Sequence, residues 1–419
     1  MIDPLPFPDC HLPQRNLIYT ISPALVTPLS NPEEEIRRSL ENPIGTKPIQ
    51  ELVKKGSRVL ILADDMTRPT PQTVLLPPLL KELESSGVPD SSITILIALG
   101  THRKMRPNEI EAHFGREISQ RHSIFNHEYD DPGMLFPCGK TTSGDPIVIN
   151  RRLSEADLVI GISSIVPHAQ VGWGGGAKIV LPGVSGEKTV SAMHLLAARQ
   201  PDYPRGAGQV ENPVRHLIEE VALRAGLHFI LNAVFDGGYR LVQVVAGHPI
   251  KAHREGVRRA EKIFLQPIPE LADIVLVNAH PADLDYWQGI KPVTLGSLGV
   301  KKGGIVILVG RFPDGISPVH SELSEYGRVS KKELDLLIAE RRLQDGVCTG
   351  ALYQHVMVRE WAEVFCISGG LTSEQIGMLG FRCFPSVSQA LKRALEEKGK
   401  EAKIGVIDQG GEVVPRLRT

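Results

Sequence analysis

The chain contains few cysteines, and their positions fit neither a disulfide framework nor a zinc ribbon. Among its 419 residues the cysteines are Cys10, Cys138, Cys348, Cys366 and Cys383, which are far apart and include no Cys-x-x-Cys pair. An odd, scattered set of this kind favours a reducing compartment. The first residues, Met1 to Pro6, also lack the basic start and apolar core of a signal peptide. We therefore expect a cytoplasmic protein.

Excess charge and long hydrophobic runs are missing as well. The chain has 47 Lys and Arg against 48 Asp and Glu, a formal net charge of -1, and no basic tail. This balance creates no overall field that would attract nucleic acid or an anionic membrane. The apolar runs are as long as strands, and none approaches the length of a membrane span. We expect neither nucleic acid nor a membrane as a partner.

The sequence does contain a regular alternation of short apolar runs with amphipathic segments. This alternation predicts an α/β fold with two domains and mostly parallel sheets. The predicted strands are residues 59–63, 93–98, 158–162, 274–277, 305–309, 364–367 and 404–407. The predicted helices include residues 72–84, 108–114, 184–198, 331–342 and 388–398. The proline-punctuated residues 266–269 are the preferred boundary between a domain of residues 1–266 and one of residues 270–419.

Polar side chains come directly after several of the predicted strands. Residues 64–68 read Asp-Asp-Met-Thr-Arg, residues 100–103 read Gly-Thr-His-Arg, and His168 and His280 follow two further strands. In open parallel sheets, ligands bind outside the carboxyl ends of the strands. These segments are therefore candidates to meet in one cleft. Arg68 offers a planar fork suited to a carboxylate or phosphate, although an internal Asp-Arg pair would also explain this loop.

Residues 167–178 place an imidazole, three consecutive glycines and a lysine within a short stretch. Bare glycine backbone would let a flat ligand lie against it, and Lys178 could bond to that ligand or hold its charge. A flexible surface loop is the alternative. Neither the Walker pattern nor the Gly-x-Gly-x-x-Gly fingerprint is present, because Ala177 and Ile179 flank Lys178 and no such fingerprint joins a strand to a helix.

Two further sites lie on predicted helices. His194 lies in the predicted helix 184–198, with Ser185 as its N-cap, and is either a hydrogen-bonded core histidine or a nickel, copper or zinc ligand. As a ligand it would need other donors. Gln288 and Lys291 are three residues apart, hence neighbours on one helical face. They could hold a small carboxylate or sugar hydroxyls, or form a solvated surface.

Taken together, these motifs resemble the nickel-pincer-nucleotide family of lactate racemases. The family's order is Asp-Asp-x-Thr-Arg-Pro, Gly-Thr-His-Arg, Pro-His-x3-Gly-x-x-Gly-Gly-x-Lys, a helical His sixteen residues later, and Gln-x-x-Lys. This chain reproduces it at residues 64–69, 100–103 and 167–178, at His194, and at residues 288–291. Ordered matches at fitting spacing are more specific than any one of them.

The resemblance implies a particular cofactor and a cleft for it between the two domains. The cofactor is pyridinium-3,5-bisthiocarboxylic acid mononucleotide, attached through one arm to the lysine that matches Lys178. Nickel is held by two sulfurs and a ring carbon of this group, with the histidine matching His194 as fourth ligand. Asp65, Thr67 and Trp173 match or neighbour positions expected to hold the nucleotide. Dedicated maturation enzymes build the cofactor and are expected partners.

The resemblance also implies a reaction, the inversion of C2 in a 2-hydroxycarboxylic acid by a racemase or epimerase. The α-hydrogen of such an acid is very weakly acidic, so oxidation by reversible hydride transfer is easier than proton abstraction. A base takes the hydroxyl proton, and two bases serve the two enantiomers. His102 and His168 match the family's pair. Arg68 and Lys291 would anchor the carboxylate, and Gln288 would help to position it.

The stretch after His168 departs from the family members that act on lactate. Those members have bulky aromatic residues there, followed by Phe-Ser-Gly-Gly, whereas this chain has Ala169, Gln170 and Val171 and then Trp-Gly-Gly. The departure predicts a substrate larger or more polar than lactate, such as malate, an aromatic hydroxy acid or a sugar acid. The alternatives are a nucleotide-dependent dehydrogenase or dehydratase that needs no nickel, and a non-catalytic cofactor-binding protein.

Overall fold

The computed structural model describes residues 12–200 and 206–418. Cys10 and the segment from Met1 to Pro6, which bear on the expected compartment, lie outside these ranges. The strands are β1 (Leu17–Ile21), β2 (Val59–Asp64), β3 (Ile93–Ala98), β4 (Ser123–Asn126), β5 (Leu135–Lys140), β6 (Pro146–Asn150), β7 (Leu158–Ser164), β8 (Pro167–His168), β9 (Gly172–Trp173), β10 (Phe229–Phe235), β11 (Leu241–Gly247), β12 (Leu265–Ile268), β13 (Ala272–Asn278), β14 (Val300–Gly310), β15 (Glu363–Ser368), β16 (Arg382–Cys383), β17 (Ile404–Ile407) and β18 (Val414–Leu417).

Helices alternate with these strands, as the sequence predicts. They are α1 (Pro32–Glu41), α2 (Ile49–Leu52), α3 (Gln72–Ser85), α4 (Pro107–Phe114), α5 (Arg116–Arg121), α6 (Arg152–Glu155), α7 (Glu187–Ala198), α8 (Pro213–Arg224), α9 (Lys251–Phe264), α10 (Tyr286–Ser297), α11 (Glu322–Tyr326), α12 (Lys331–Ala339), α13 (Gly346–Trp361), α14 (Ser373–Met378) and α15 (Val387–Lys398). The α/β class with mostly parallel sheets is confirmed.

The first sheet has the strand order β11-β10-β7-β2-β3-β4. Its neighbours run parallel except for the β10–β11 hairpin. Strand β2 is buried at every position, which is typical of a parallel strand covered by helices on both faces. Leu60 and Leu62 belong to one apolar cluster, while Ile61 and Ala63 belong to another. Alternate side chains therefore pack on opposite faces of the sheet.

The second sheet has the order β1-β17-β13-β14-β15-β16 and is parallel throughout. Strand β13 divides its side chains in the same way, with Val275 and Val277 in one apolar cluster and Ile274 and Leu276 in another. The two sheets thus have separate cores. This arrangement accounts for the two sets of apolar runs that the sequence shows.

The N-terminal segment contributes to the second sheet, which the sequence did not predict. Strand β1 pairs with β17, Asn16 donates to the carbonyl of Ala402 at 2.9 Å, and the Tyr19 hydroxyl donates to the carbonyl of Gly299 at 2.8 Å. The predicted link at residues 266–269 is largely strand β12, which pairs with β18. A division at this point leaves β1 apart from its own sheet, and the exact domain boundary stays a prediction.

Most predicted elements agree with the structure to within a few residues, but the helix that carries His194 begins later than predicted. Helix α7 starts at Glu187, and Gly186 occupies the N-cap position. Ser185 is not the cap, because its hydroxyl donates to the carbonyl of Val180 at 2.8 Å. The serine instead closes the turn that precedes the helix.

Helix α13 of the second half packs against α7 of the first half at close range. A Cβ atom at Gly350 would lie only 2.5 Å from the Cβ of His194. The absence of a side chain at this position therefore permits the contact. It also brings α13 to the edge of the first sheet where β2, β3 and β7 end.

Two further properties concern the described parts of the chain. Cys138, Cys348, Cys366 and Cys383 are free thiols there. No helix within these ranges has the length and apolar character needed to cross a membrane.

The packing of β1 on the second sheet leads to a stability prediction. A Cβ at Gly405 would lie 2.1 Å from the ring carbon Cζ of Tyr19. We expect Gly405→Ala to lower the free energy of unfolding by about 1–3 kcal/mol, because the clash must displace Tyr19 or the strand. Gly377→Ala in α14 is the control, since its Cβ would meet open space. Equal thermal unfolding midpoints for the two variants would contradict this packing.

Candidate active site

One cleft collects most of the side chains that the sequence singled out. It lies at the carboxyl ends of β2, β3 and β7, and α7, α10 and α13 contribute residues to its walls. It contains about 1170 Å³ free of protein atoms, a volume that includes open solvent. The predicted site residues that line it are Asp65, Arg68, His102, His168, Lys178, His194, Gln288 and Lys291.

The other two predicted site residues, Thr67 and Trp173, do not line this cleft. The Trp173 side chain is fully buried in the core beneath it. Its indole N–H donates to the carbonyl of Gly208 at 3.0 Å. The structure gives Trp173 a supporting place behind the cleft wall, and contact of Trp173 or Thr67 with a nucleotide stays a prediction.

A closed ring of hydrogen bonds connects the first sheet with α10. His102 Nδ1 lies 2.7 Å from Asp65 Oδ2, and His102 Nε2 lies 2.9 Å from the amide nitrogen of Gln288. Gln288 Oε1 accepts from Arg68 Nη1 at 3.2 Å. Arg68 Nη1 also donates to Thr67 Oγ1 at 2.8 Å, and the Thr67 hydroxyl donates to Asp65 Oδ1 at 2.5 Å. Each member holds the next in place.

This ring determines which nitrogen of His102 carries the proton. The Gln288 carbonyl oxygen accepts from the guanidinium, so its amide nitrogen faces His102 and donates to Nε2. Nε2 therefore presents a lone pair, and Nδ1 carries the proton that it donates to Asp65. A ligand hydroxyl in the place of the Gln288 amide would meet a nitrogen able to accept its proton, with a carboxylate behind to stabilise the charged ring.

The two adjacent carboxylates of this loop are held in different environments. Burial favours a higher pKa for Asp65, but attraction to His102, the hydrogen bond from that ring and the charge of Arg68 hold its pKa below the usual range. Asp64 accepts instead from the Thr70 hydroxyl at 2.6 Å, and burial raises its pKa to about 7. Asp65 is therefore the anionic partner of His102.

His168 lines the opposite part of the same cleft. Its Nδ1 accepts from the backbone N–H of Gln170 at 3.2 Å, so the proton of the neutral ring lies on Nε2. Burial lowers the pKa of His168 well below its usual value, and the nearby basic groups Lys178, Lys291 and Arg68 lower it further. The ring is therefore neutral at physiological pH.

The glycine run is a rigid wall of the cleft, and a flexible surface loop is excluded, because residues 171–177 are buried. The backbone N–H of Gly176 donates to Asn232 Oδ1 at 2.8 Å, and His253 Nε2 donates to the carbonyl of Gly174 at 2.8 Å. A Cβ at Gly176, where φ is +57°, would lie 2.9 Å from the His253 ring. The buried guanidinium of Arg215 donates to the Trp173 carbonyl. Gly174 and Gly175 are left to line the cleft.

Lys178 follows this wall and lines the cleft through its half-buried side chain. Burial lowers the pKa of its amine well below the usual value, and the positive charges of Arg68, Lys291 and Arg215 lower it further. An uncharged amine is a nucleophile, whereas an ammonium group is not. The environment of Lys178 therefore suits a covalent bond to a ligand better than a simple ion pair.

His194 projects from α7 into the cleft with one nitrogen already engaged. Its Nδ1 lies 3.3 Å from the carbonyl oxygen of Val347, to which it donates, and Nε2 keeps its lone pair. Burial lowers the pKa of His194 to about 4. Histidines that bind metals characteristically donate their other N–H to a carbonyl in this way. The residues described contain no group of three or more His, Cys, Asp or Glu side chains that could hold a metal ion.

Lys291 and Arg68 place positive charge beside His102 and His168. Burial and, to a smaller extent, the charge of Arg68 lower the pKa of Lys291, the carboxylate of Glu412 opposes them, and the result is a pKa of about 7. Glu412 is 2% exposed, its Oε2 has no hydrogen-bond partner among the residues that the structure describes, and burial raises its pKa. The charge of Lys291 therefore depends on whether an anion, from Glu412 or from a ligand, is close by.

Several residues that act on the site were missed in the sequence. Glu412 follows strand β17, so the same rule that found Asp65 and His102 applies to it. Arg215, His253 and Gln354 lie within helices far along the chain, and no local pattern distinguishes them. Only the folded contacts show that they support or line the cleft.

The chain is similar to lactate racemases over most of its length. The family model for the lactate racemase N-terminal domain matches residues 7–205, and that for the C-terminal domain matches residues 269–414. Lactate racemase from Thermoanaerobacterium thermosaccharolyticum is 33% identical over 285 residues, which are 68% of this chain and just under two thirds, 66%, of that relative. Lactate racemase from Lactiplantibacillus plantarum is 28% identical over 386 residues, which cover 90% of this chain and 89% of the relative.

Solved structures agree with these matches. The lactate racemase apoprotein from Thermoanaerobacterium thermosaccharolyticum aligns with a TM-score of 0.84 at 28% identity and covers 97% of each chain. A crystal structure of a protein from Thermotoga maritima aligns with a TM-score of 0.75 at 21% identity, over 93% of this chain and 99% of that one. The latter supports the fold alone.

The environment of Lys178 leads to a test that does not depend on the reaction. At neutral pH we expect a small acylating reagent to modify Lys178 faster than the exposed Lys55, by about tenfold or more, because burial and nearby positive charges shift its amine toward the uncharged form. Peptide mass spectrometry would locate and time the modification. Arg68→Gln should reduce the preference, since it removes a positive charge that lowers the pKa. A Lys178 that reacts no faster than Lys55 would contradict this account.

Proposed function

The chain belongs to the lactate racemase family, and we propose that it is a racemase or epimerase that inverts C2 of a 2-hydroxycarboxylic acid. The observation that carries the proposal is the presence of two imidazoles, His102 and His168, in one cleft with the basic side chains of Arg68 and Lys291. A reaction that interconverts mirror images calls for a proton acceptor for each of them.

Arg68 and Lys291 would bind the substrate carboxylate. A guanidinium matches a carboxylate with two parallel hydrogen bonds, and an ammonium group adds a point charge. Gln288 lies between Arg68 and His102, so its amide can contact a ligand bound to either. Binding of the carboxylate would also favour the protonated form of Lys291, because the ligand supplies the nearby negative charge.

His102 would take the proton of the substrate hydroxyl on Nε2. Asp65 accepts from Nδ1 and would stabilise the positive ring that results. His168 would serve the other enantiomer, and to accept on Nε2 it must move its own proton to Nδ1. The proton transfer breaks the hydrogen bond that Nδ1 accepts from the Gln170 N–H, which is long at 3.2 Å. We therefore expect unequal roles for the two histidines in the two directions.

The residues of the cleft fit a covalently bound nickel-pincer nucleotide. When bound, such a group supplies the hydride acceptor and donor that the reaction needs. The environment of Lys178 favours the uncharged amine required for attachment, and the lone pair of His194 Nε2 would be available for nickel. A single imidazole needs further donors to hold a metal, and the sulfurs and ring carbon of the cofactor would supply them. The cations of the cleft would balance the phosphate.

We also propose a substrate larger or more polar than lactate, and cofactor maturation enzymes as partners in the cytoplasm. Ala169 and Gln170 line the cleft next to His168, so a small side chain and an amide replace bulky aromatic groups there. Val171, which also departs from the family pattern, is fully buried and does not line the cleft. The support for a different substrate therefore rests on the first two positions.

The division of roles between His194 and His168 can be tested in a host that makes the cofactor. We expect His194→Ala to lose most of its nickel, because a ligand is removed. His168→Ala should keep nickel and the adduct on Lys178 but lose about 10²- to 10⁴-fold in kcat, as is usual for a general base. Intact mass, metal analysis and racemisation of 2-hydroxy acids provide the measurements. Equal loss of nickel in both variants, or turnover without nickel, would contradict the proposal.

The charge of Lys291 predicts the pH dependence of catalysis. Its pKa is about 7, so the ammonium that attracts the carboxylate is present below this pH and is lost above it. We expect kcat/KM to fall as pH rises above about 7, mainly through KM. Glu412→Gln should move the fall to lower pH, because the opposing carboxylate is removed. Glu374→Gln on the exposed surface is the control, and a shift of the same size there would contradict the assignment.

A further inference from the structure

Gln170 occupies a distinct position in the wall of the cleft. It follows His168 by two residues, its backbone N–H contacts that ring, and its half-buried side chain lines the cleft. The side chain reaches across to α13, where Gln170 Nε2 donates to Gln354 Oε1 at 3.3 Å. Gln354 also lines the cleft. The two amides thus join the His168 wall to the second half of the protein.

A series of hydrogen bonds that starts on α10 determines how these amides are oriented. The Thr294 hydroxyl donates to the carbonyl of Ile290 at 2.6 Å, so its oxygen is an acceptor for other groups. Gln354 Nε2 donates to that oxygen at 3.0 Å. The side-chain carbonyl oxygen of Gln354 therefore faces Gln170, and the amide nitrogen of Gln170 donates to it. The backbone carbonyl of Ile290 thereby fixes both side chains.

The consequence is an acceptor, on a side chain that lines the cleft, without a donor among the described residues. In residues 12–200 and 206–418 nothing donates to Gln170 Oε1, and this oxygen cannot exchange places with the amide nitrogen without placing two carbonyl oxygens against each other. We propose that Gln170 Oε1 is a specificity-determining group that accepts a hydrogen bond from a hydroxyl of the substrate beyond C2. This inference rests on the proposed function, and it assigns 2-hydroxy acids that carry further hydroxyl groups as the substrate class.

The chemistry of this acceptor separates three classes of side chain. A hydroxyl can donate to it, whereas an alkyl group would bury Oε1 without a partner, at a cost comparable to a lost hydrogen bond. A second carboxylate on the substrate carries only acceptors, so its negative charge would face the negative end of the Gln170 carbonyl dipole. Sites built to bind a substrate hydroxyl reject analogues that lack it for this reason. The fixed amides therefore favour hydroxylated acids over both alkyl acids and dicarboxylates.

Three acids of equal length form a matched set of probes, namely 2,3,4-trihydroxybutanoate, 2-hydroxybutanoate and malate. The protein is purified from a host that co-expresses the maturation enzymes, and binding of each acid is measured by calorimetry. The rate of inversion at C2 of each acid is compared with that of lactate. We expect the trihydroxy acid to bind at least about fivefold more tightly than each of the other two. Gln170→Met, which keeps the length and removes the acceptor, should abolish this preference. A preference that persists in Gln170→Met, or is absent from the wild type, would overturn the assignment.

Thr294→Val tests the series of hydrogen bonds without touching Gln170. Loss of the acceptor for Gln354 allows both amides to turn, so a donor can face the cleft. We expect the discrimination against malate to fall while that against 2-hydroxybutanoate changes less. Unchanged discrimination in this variant would overturn the orienting role of α10. Binding preferences judge the Gln170 subsite, whereas a failure to racemise any of these acids or lactate would instead count against the proposed function.

Discussion

The cleft depends on one buried carboxylate. Asp65 is 3% exposed, and its two oxygens engage Thr67 and His102 on opposite sides of the hydrogen-bonded ring. A buried charge that loses its partners costs about 3–5 kcal/mol, so the ring is far more stable closed than with one member missing. Because Gln288 belongs to α10, the same carboxylate also helps to hold the second half of the protein against the first. The hydrogen bonds that orient His102 therefore also help to fix the position of the two halves relative to each other.

The remainder of the cleft brings several basic side chains together. Lys178, Lys291 and Arg68 line it, and the pKa of each lysine is lowered first by burial and then by repulsion from nearby positive charges. An anionic ligand would relieve this repulsion and would raise the pKa of Lys291. The cleft therefore favours an anionic ligand, such as a phosphate or a carboxylate.

The parts of this site that follow strands could be predicted from the sequence, and the parts that depend on distant packing could not. Asp65 and His102 follow β2 and β3, and Gln288 and Lys291 share a helical face, so local spacing makes these residues candidates and the family resemblance joins them in one site. Strand β1 was missed because its partner β17 lies at the other end of the chain. Trp173 was expected near the nucleotide because it matches or neighbours a position of the resembled family, and the structure places its side chain in the core behind the cleft wall. Sequence distance conceals such contacts.

Helix α10 explains why specificity and catalysis are linked here. Asp285 caps the helix by accepting from the Gln288 N–H at 2.8 Å, which fixes where the first turn begins. Gln288, Lys291 and Thr294 then follow at intervals of three residues and project from one side of a single rigid rod. The first completes the His102 ring, the second is the lysine that we propose binds the substrate carboxylate, and the third accepts from Gln354, whose amide contacts Gln170 beside His168. A shift of this helix would disturb all three together, so selection for a new substrate is easier at Gln170 than on α10 itself.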